Sequence, residues 1–289
     1  MLSVLIVNWN TRALLRACLD SILRHPPKSP YEVIVVDNAS CDGSGDMVRD
    51  EFVDVKLIEP GANTGYARGN NLAFSQAQGD YLLTLNPDTE MRDDCLQVAL
   101  DVLAGRPEYG ALGVRLIGPD GKGQRSVRGF PTVAGIFGDL TGLGARRPGS
   151  KWDSYRLTAF DYDCEQSAPQ PMGTFLLFRR SALKAVGNEQ APFDEGFPIF
   201  FNEVDLLYRM AAANWPCLYS PRAEVLHHHG QGTRQVRRSM IWESHKSLVR
   251  FLRKHSSTGL SRAGLPFLAG IIYGAAFVRA RGYSGGFRA

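Results

Sequence analysis

Three apolar runs near the start of the chain end abruptly in polar turns, and each turn leads into a segment with helical spacing. Leu2-Ser3-Val4-Leu5-Ile6-Val7 runs into Asn8-Trp9-Asn10, after which Leu14, Leu15, Cys18, Leu19 and Ile22 recur at helical intervals up to Pro26-Pro27. Glu32-Val33-Ile34-Val35-Val36 runs into Asp37-Asn38-Ala39-Ser40 and a helix around Met47-Val48. Tyr81-Leu82-Leu83-Thr84-Leu85 runs into Asn86-Pro87-Asp88-Thr89-Glu90 and a helix carrying Cys95, Leu96, Val98, Ala99 and Leu103. Between the second and third, Val55-Lys56-Leu57-Ile58 precedes Asn63-Thr64-Gly65-Tyr66-Ala67-Arg68-Gly69-Asn70-Asn71 and a helix to about Gln78. Continuous apolar strands suit a sheet covered on both faces, and their alternation with helices specifies an α/β fold built on a mostly parallel, doubly wound sheet. Ligands collect outside the carboxyl ends of such strands, which makes Asp37 and Asp88 candidate site residues. Asp88 can hold a divalent cation and, through it, a diphosphate. The competing reading makes Asp88 or Thr89 the cap of the helix that follows.

The second half is less regular. Gly110-Ala111-Leu112-Gly113-Val114-Arg115-Leu116 reads as a strand, and the stretch to about residue 170 is rich in Gly, Pro, Arg and Asp without a sustained period. That composition predicts a long functional loop concerned with substrate selection. Phe175-Leu176-Leu177-Phe178 reads as a buried strand, and Asn202-Glu203-Val204-Asp205 opens a helix. Cys217-Leu218-Tyr219 and Ala223-Glu224-Val225-Leu226 read as two short strands, the latter ending in His227-His228-His229.

At 289 residues and 44% apolar content the chain can bury a full core. Its net charge of +4 is mild, and the basic residues thicken toward the C-terminus, which suits phosphate ligands or an anionic membrane surface and argues against nucleic acid. Cys18, Cys41, Cys95, Cys164 and Cys217 lie far apart with no C-x-x-C pair, against both a zinc site and a disulfide framework, and consistent with a reducing cytoplasm. No basic leader precedes the first strand, so no secretory signal is expected.

Val36-Asp37-Asn38-Ala39-Ser40, Gly65-Tyr66-Ala67-Arg68-Gly69-Asn70-Asn71, Leu85-Asn86-Pro87-Asp88, Met172-Gly173-Thr174 and Asn202-Glu203-Val204-Asp205-Leu206 stand in order along the chain. Together they resemble the family-2 inverting glycosyltransferases of the GT-A fold, most of all the bacterial rhamnosyltransferase-like members that build cell-surface glycans. The resemblance covers roughly residues 1–255. It implies a nucleoside-diphosphate sugar donor (dTDP- or UDP-linked), a glycan or polyprenyl-diphosphate-linked acceptor, and Mg2+ or Mn2+ as cofactor.

By the same resemblance, Asn8, Asp37, Asn38, Gly65, Gly69, Asn70, Asn86, Asp88 and Arg209 bind the nucleotide sugar, with the glycines and Asn70 bringing backbone close to it. Asp88 and His227 hold the metal, the three-histidine run leaving the register open by one. Arg128, Gly173 and Thr174 contact the acceptor. Asn86-Pro87-Asp88 departs from the family's D-x-D by its Asn, and Asn202-Glu203 departs from the family's E-D. Glu203 falls at the catalytic base and keeps the carboxylate on a longer arm, so Asp205 stays as a rival.

No G-x-G-x-x-G follows the first strand and no G-x-x-x-x-G-K-[ST] occurs, which excludes dinucleotide and P-loop readings. A non-catalytic nucleotide-sugar-binding protein that keeps the fold is the competing reading. Three regions are expected: a nucleotide-binding half at about 1–115, an acceptor-binding half at about 116–235, and a C-terminal helical tail at 236–289. The tail opens with a basic amphipathic segment from Val236 to His255. Ala263 to Val278 then carries no charge. Its reach as a helix is about 24 Å, short of a bilayer core of about 30 Å, which predicts docking at the inner membrane face rather than spanning, with packing against a partner chain as the alternative.

Overall fold

The computed structural model describes residues 1–228, 237–256 and 259–282. The first half follows the expected alternation: β1 (Leu2–Asn8), α1 (Arg12–Arg24), β2 (Tyr31–Asp37), α2 (Ser44–Glu51), β3 (Lys56–Ile58), α3 (Tyr66–Gln76) and β4 (Tyr81–Leu85). Strand β5 (Thr89–Met91) then precedes α4 (Cys95–Ala104) and β6 (Ala111–Ile117). The irregular stretch contains β7 (Val127–Arg128), α5 (Val133–Thr141), α6 (Leu143–Arg146), β8 (Gln166–Ser167) and β9 (Gln170–Pro171). The chain continues through β10 (Phe175–Arg179), α7 (Arg180–Ala185), α8 (Asn202–Ala212) and β11 (Cys217–His227), and ends in α9 (Arg237–His255) and α10 (Gly259–Ala280).

The main sheet has the order β3-β2-β1-β4-β10-β6-β11-β5, with β8 beside β11. Strands β1 to β4 pair in parallel, as right-handed helical crossovers require. Strand β10 enters antiparallel between β4 and β6 because the chain returns from the long excursion in the opposite sense. The two expected halves therefore share one sheet. The two short strands expected at 217–226 are one strand whose register against β6 shifts between Ser220 and Glu224.

Each face of the sheet is sealed. Leu15, Leu19, Leu96 and Leu103 close one side against Val4, Ile6, Leu83 and Leu177. Phe74, Leu206 and Met210 close the other against Leu5, Ile34, Leu82 and Phe178. Truncating Phe178 to Ala in such a layer costs about 3–5 kcal/mol. The C-terminal stretch is not an appended unit. Leu248, Phe251 and Leu252 of α9 and Leu265, Leu268 and Ile272 of α10 form one apolar cluster with Ile136 of α5 and Phe201 and Val204 at the start of α8.

Candidate active site

The carboxyl ends of β1, β2 and β4 lie side by side, with Asn8 opposite Asp37 in register. Asp37 is buried and accepts hydrogen bonds from Asn8 Nδ2 at 2.8 Å, Ser40 Oγ at 2.6 Å and Ser40 N at 3.2 Å. Thr11 Oγ1 in turn donates to Asn8 Oδ1 at 2.6 Å. Asn38 ties β2 to the loop before α3: its Nδ2 donates to Gly65 O at 3.1 Å and its Oδ1 accepts from Thr64 N at 2.9 Å. Gly65 needs its missing side chain, since its φ is +83° and a Cβ there would meet Pro198 O at 2.9 Å.

Of these, Asn8, Thr11, Asn38 and Gly65 border a pocket of about 370 Å³, within the range of small-molecule sites, and Asp37 fixes Asn8 from behind. Asn8, Trp9, Asn38, Gly65, Tyr66, Asn86 and Asp88 line it, and Ile199 and Met240 add apolar surface. Gly69 and Asn70, expected to bring backbone close to the nucleotide, are not among its lining. A Cβ on Gly69 would lie 2.9 Å from Val7 Cγ1, so this glycine serves the packing of α3 on β1. Asn70 Nδ2 donates to Tyr66 O at 2.9 Å inside the helix.

Asp88 caps no helix. The residues after it pair as β5 with β11, and α4 begins only at Cys95. That pairing places His227 opposite Thr89, with His227 Nε2 3.7 Å from Asp88 Oδ1. Two donors each about 2.1 Å from one small cation lie roughly 3 to 4 Å apart, so the pair fits a shared divalent ion. Among the described residues no three His, Cys, Asp or Glu side chains converge, so a cation held by these two would take its remaining ligands from substrate or water. His228 turns the other way, its Nε2 2.7 Å from Glu90 Oε1, and His229 lies outside the described residues.

Tyr66 joins this end of the site to the other. Its hydroxyl donates to Asn86 Oδ1 at 3.1 Å and toward Gly173 O at 3.5 Å. Burial, reinforced by the charges of Glu203 and Asp88, keeps it protonated. Glu203 stands in the first turn of α8, after Phe201 in the left-handed conformation. Its carboxyl leans on the backbone of Gly173, where an added Cβ would lie 3.3 Å from Glu203 Cγ and 3.4 Å from Cδ. Burial pushes its pKa up to about 7, against the pull of the amide N–H groups at the helix start. A carboxyl poised near neutrality beside Tyr66, which lines the pocket, has the properties of a general base.

Asp205 points elsewhere. It is fully buried and held by Arg209 Nε at 2.8 Å, Lys254 Nζ at 2.7 Å and His255 Nε2 at 2.8 Å. Burial alone raises a carboxyl pKa, but hydrogen bonds from His255, Lys254 and Arg209 hold this one at about 2. Arg209 also donates to Pro192 O at 2.6 Å. This corrects the expectation that Asp205 serves as a base and Arg209 as a phosphate ligand, because both charges are committed to a structural network. Thr174 is buried and its backbone carbonyl accepts from Asn86 N at 3.0 Å, while Arg128 Nη1 donates to Val127 O at 3.0 Å on the excursion side.

Trp9, Tyr66 and Gln124 were not singled out from the sequence. Tyr66 lies inside a quoted motif and Trp9 in the polar turn after the first apolar run. Gln124 bonds to His227, and only tertiary structure brings it there.

The family model described as glycosyl transferase family 2 matches residues 3–187. The chain belongs to that family. As a glycosyltransferase it is 31% identical over 244 residues to an N-acetylglucosaminyl-diphospho-decaprenol L-rhamnosyltransferase of Mycobacterium tuberculosis, across 79% of this chain and 76% of the relative. It is 27% identical to the O-antigen biosynthesis protein RfbC of Myxococcus xanthus, across 76% of this chain and 17% of that protein. Among solved structures, the mannosyltransferase PcManGT of Pyrobaculum calidifontis in complex with GDP-Man and Mn2+ superposes with a TM-score of 0.59 at 19% identity, covering 99% of this chain and 76% of the other. S. aureus TarS 1-349 in complex with UDP superposes at 0.57 with 17% identity, covering 96% and 78%. The architecture is that of the GT-A glycosyltransferases.

Proposed function

We propose that this glycosyltransferase moves a sugar, with inversion, from a nucleoside-diphosphate donor to a hydroxyl on a lipid-linked glycan precursor. The observation that carries the reading is the pairing of Asp88 and His227 at one side of Tyr66 with Glu203, its pKa near 7, at the other. Asn8, Trp9, Asn38 and Gly65 form the wall for the nucleoside. Glu203 takes the proton of the acceptor hydroxyl as that oxygen attacks the anomeric carbon, and the single displacement inverts the centre. Tyr66, held protonated between the two carboxylates, fixes Asn86 and the Gly173 backbone. Asp88 and His227 are the residues that would hold a divalent cation, which would neutralise charge on the departing diphosphate. One carboxylate with one imidazole suits Mn2+ better than Mg2+, which favours oxygen donors alone.

Rhamnose as the sugar and a polyprenyl-diphosphate-linked N-acetylglucosamine as the acceptor rest on the mycobacterial relative. Docking on an anionic membrane face rests on α10. Leu265, Leu268, Ala269, Ile272 and Ala276 turn inward, while Phe267, Ile271, Phe277 and Val278 face out and Arg281 stacks over Phe277 at 4.0 Å. A helix with one face already packed on protein, an apolar outer face and a basic end suits the interface rather than a span. From Arg237 onward the sole acid is Glu243.

A panel of dTDP-, UDP- and GDP-linked sugars, each with Mn2+, tests the reading by thermal unfolding, since a ligand that binds only the folded state raises the transition temperature. The reading expects one donor to stand out and then to be consumed with a lipid-diphosphate acceptor. Binding without transfer to any such acceptor would favour the non-catalytic alternative.

A further inference from the structure

Gln124 lies outside every motif in the sequence, yet it touches the site at two points. After β6 the chain reverses in a tight turn, with Gly118 N donating to Lys122 O at 2.8 Å and Gln124 N returning to Leu116 O at 2.8 Å. Strand β6 runs parallel to β11 with Ile117 opposite Leu226, so the turn delivers Gln124 beside the end of β11. Its Nε2 donates to His227 O at 3.0 Å, and its Oε1 lies 2.8 Å from His227 Nδ1.

The two contacts assign each other. A backbone carbonyl only accepts, so the amide end facing His227 O is the NH2 group. The end facing the ring is then the oxygen, which also only accepts, so Nδ1 carries the hydrogen. An imidazole that binds a cation is neutral and has one N–H, which puts its lone pair on Nε2, the nitrogen 3.7 Å from Asp88 Oδ1. We infer that Gln124 is a positioning residue that holds His227 in the Nδ1–H tautomer and aims its Nε2 at a divalent cation shared with Asp88. The inference rests on the metal site proposed above. Metal-binding histidines are commonly fixed by an acceptor on the second ring nitrogen, and loss of that acceptor weakens metal binding about 10- to 100-fold.

The test compares wild type, Gln124→Met, Gln124→Glu and His227→Ala in the full chain, with two readouts. Mn2+ alone is titrated and its binding followed by loss of the free-ion paramagnetic resonance signal, and the tautomer of His227 is read from its ring nitrogens by NMR. Gln124→Met keeps the bulk and removes the acceptor, so Mn2+ affinity falls about 10- to 100-fold and the ring populates both tautomers. Gln124→Glu keeps an acceptor at Nδ1 and recovers most of the affinity. Unchanged affinity and an unchanged tautomer in Gln124→Met overturn the inference, as does a Glu variant no better than Met. Wild-type Mn2+ binding in His227→Ala overturns the metal reading itself, and the tautomer measurement then decides alone whether Gln124 orients the ring.

Discussion

His255, the last residue of α9, donates from Nε2 to Asp205 Oδ1 at 2.8 Å, across 50 residues of sequence. The bond fastens α9 to α8, the helix that carries Glu203. His255 also packs on Tyr208 with ring centroids 4.3 Å apart, and Lys254 Nζ lies 2.7 Å from the same Asp205 oxygen, so the junction is both ionic and apolar. Removing one partner of a buried, multiply bonded charge leaves the others uncompensated. Asp205→Asn is therefore expected to cost about 3–5 kcal/mol in denaturant unfolding while sugar transfer, measured well below the lowered transition, keeps its chemical rate. Full stability with lost turnover would return Asp205 to the role of base. Because its pKa is held below the ordinary 3.8, the stability that Asp205 contributes is present above that value and disappears as pH falls toward about 2.

Glu203→Gln is expected to keep donor affinity and to lose about 10²- to 10⁴-fold in single-turnover rate. In the wild type the rate should rise with pH, reach half its plateau near 7 and level off above it, as Glu203 loses its proton, and the variant should lack that limb. Stability moves the opposite way. The folded carboxyl keeps its proton up to about pH 7 whereas the unfolded one releases it near 4.5, so the folded state binds more protons in that window and stability declines as pH rises through it. A flat rate profile between pH 5 and 8 contradicts the assignment.

Gly173 is the contact surface of the Glu203 carboxyl. In Gly173→Ala the new methyl would press on Glu203 Cγ and Cδ at 3.3 and 3.4 Å, so the base shifts by a few tenths of an ångström. Misplacement on that scale is expected to lower kcat by about tenfold with donor affinity retained, because reacting groups tolerate little displacement. Unchanged kcat means that Glu203 does not work from this position.

Asp88→Ala should abolish Mn2+-dependent binding of nucleoside diphosphate and leave the circular dichroism spectrum as in the wild type, since Asp88 starts no helix. Calorimetry showing the same diphosphate affinity and the same metal dependence would remove Asp88 from the site.

Deleting α10 is a poor probe of membrane docking because it uncovers Leu248, Phe251 and Leu252 along with the inner face of the helix. Phe267 is 77% exposed and Ile271 faces the same side, so Phe267→Glu with Ile271→Glu leaves the packing intact. The double variant is expected to stay in the supernatant when the wild type sediments with anionic vesicles, and co-sedimentation of both would assign α10 to packing alone.

The fold class was legible because apolar runs of period-free composition, ended by polar turns, have few alternatives to strands buried in a helix-covered sheet. The motifs also sufficed to name Asp37, Asn38, Gly65, Asn86 and Asp88 as belonging together, since the carboxyl ends of β1, β2 and β4 are brought into line by parallel pairing itself. What followed Asp88 was not legible locally. Asp88-Thr89-Glu90 serves as well at a helix start as in a strand, and only the antiparallel partner β11 makes Thr89–Met91 a strand and sets His227 beside Asp88. The same limit applies to Asp205 and Arg209. Their spacing on a helix suits an ion pair or a phosphate site equally, and the decision belongs to Lys254 and His255, which arrive from another helix to hold Asp205. Gln124 had no sequence signal at all, because its meaning lies in a hydrogen-bond partner 103 residues away, and pairings of that length are set by the sheet and not by any local pattern.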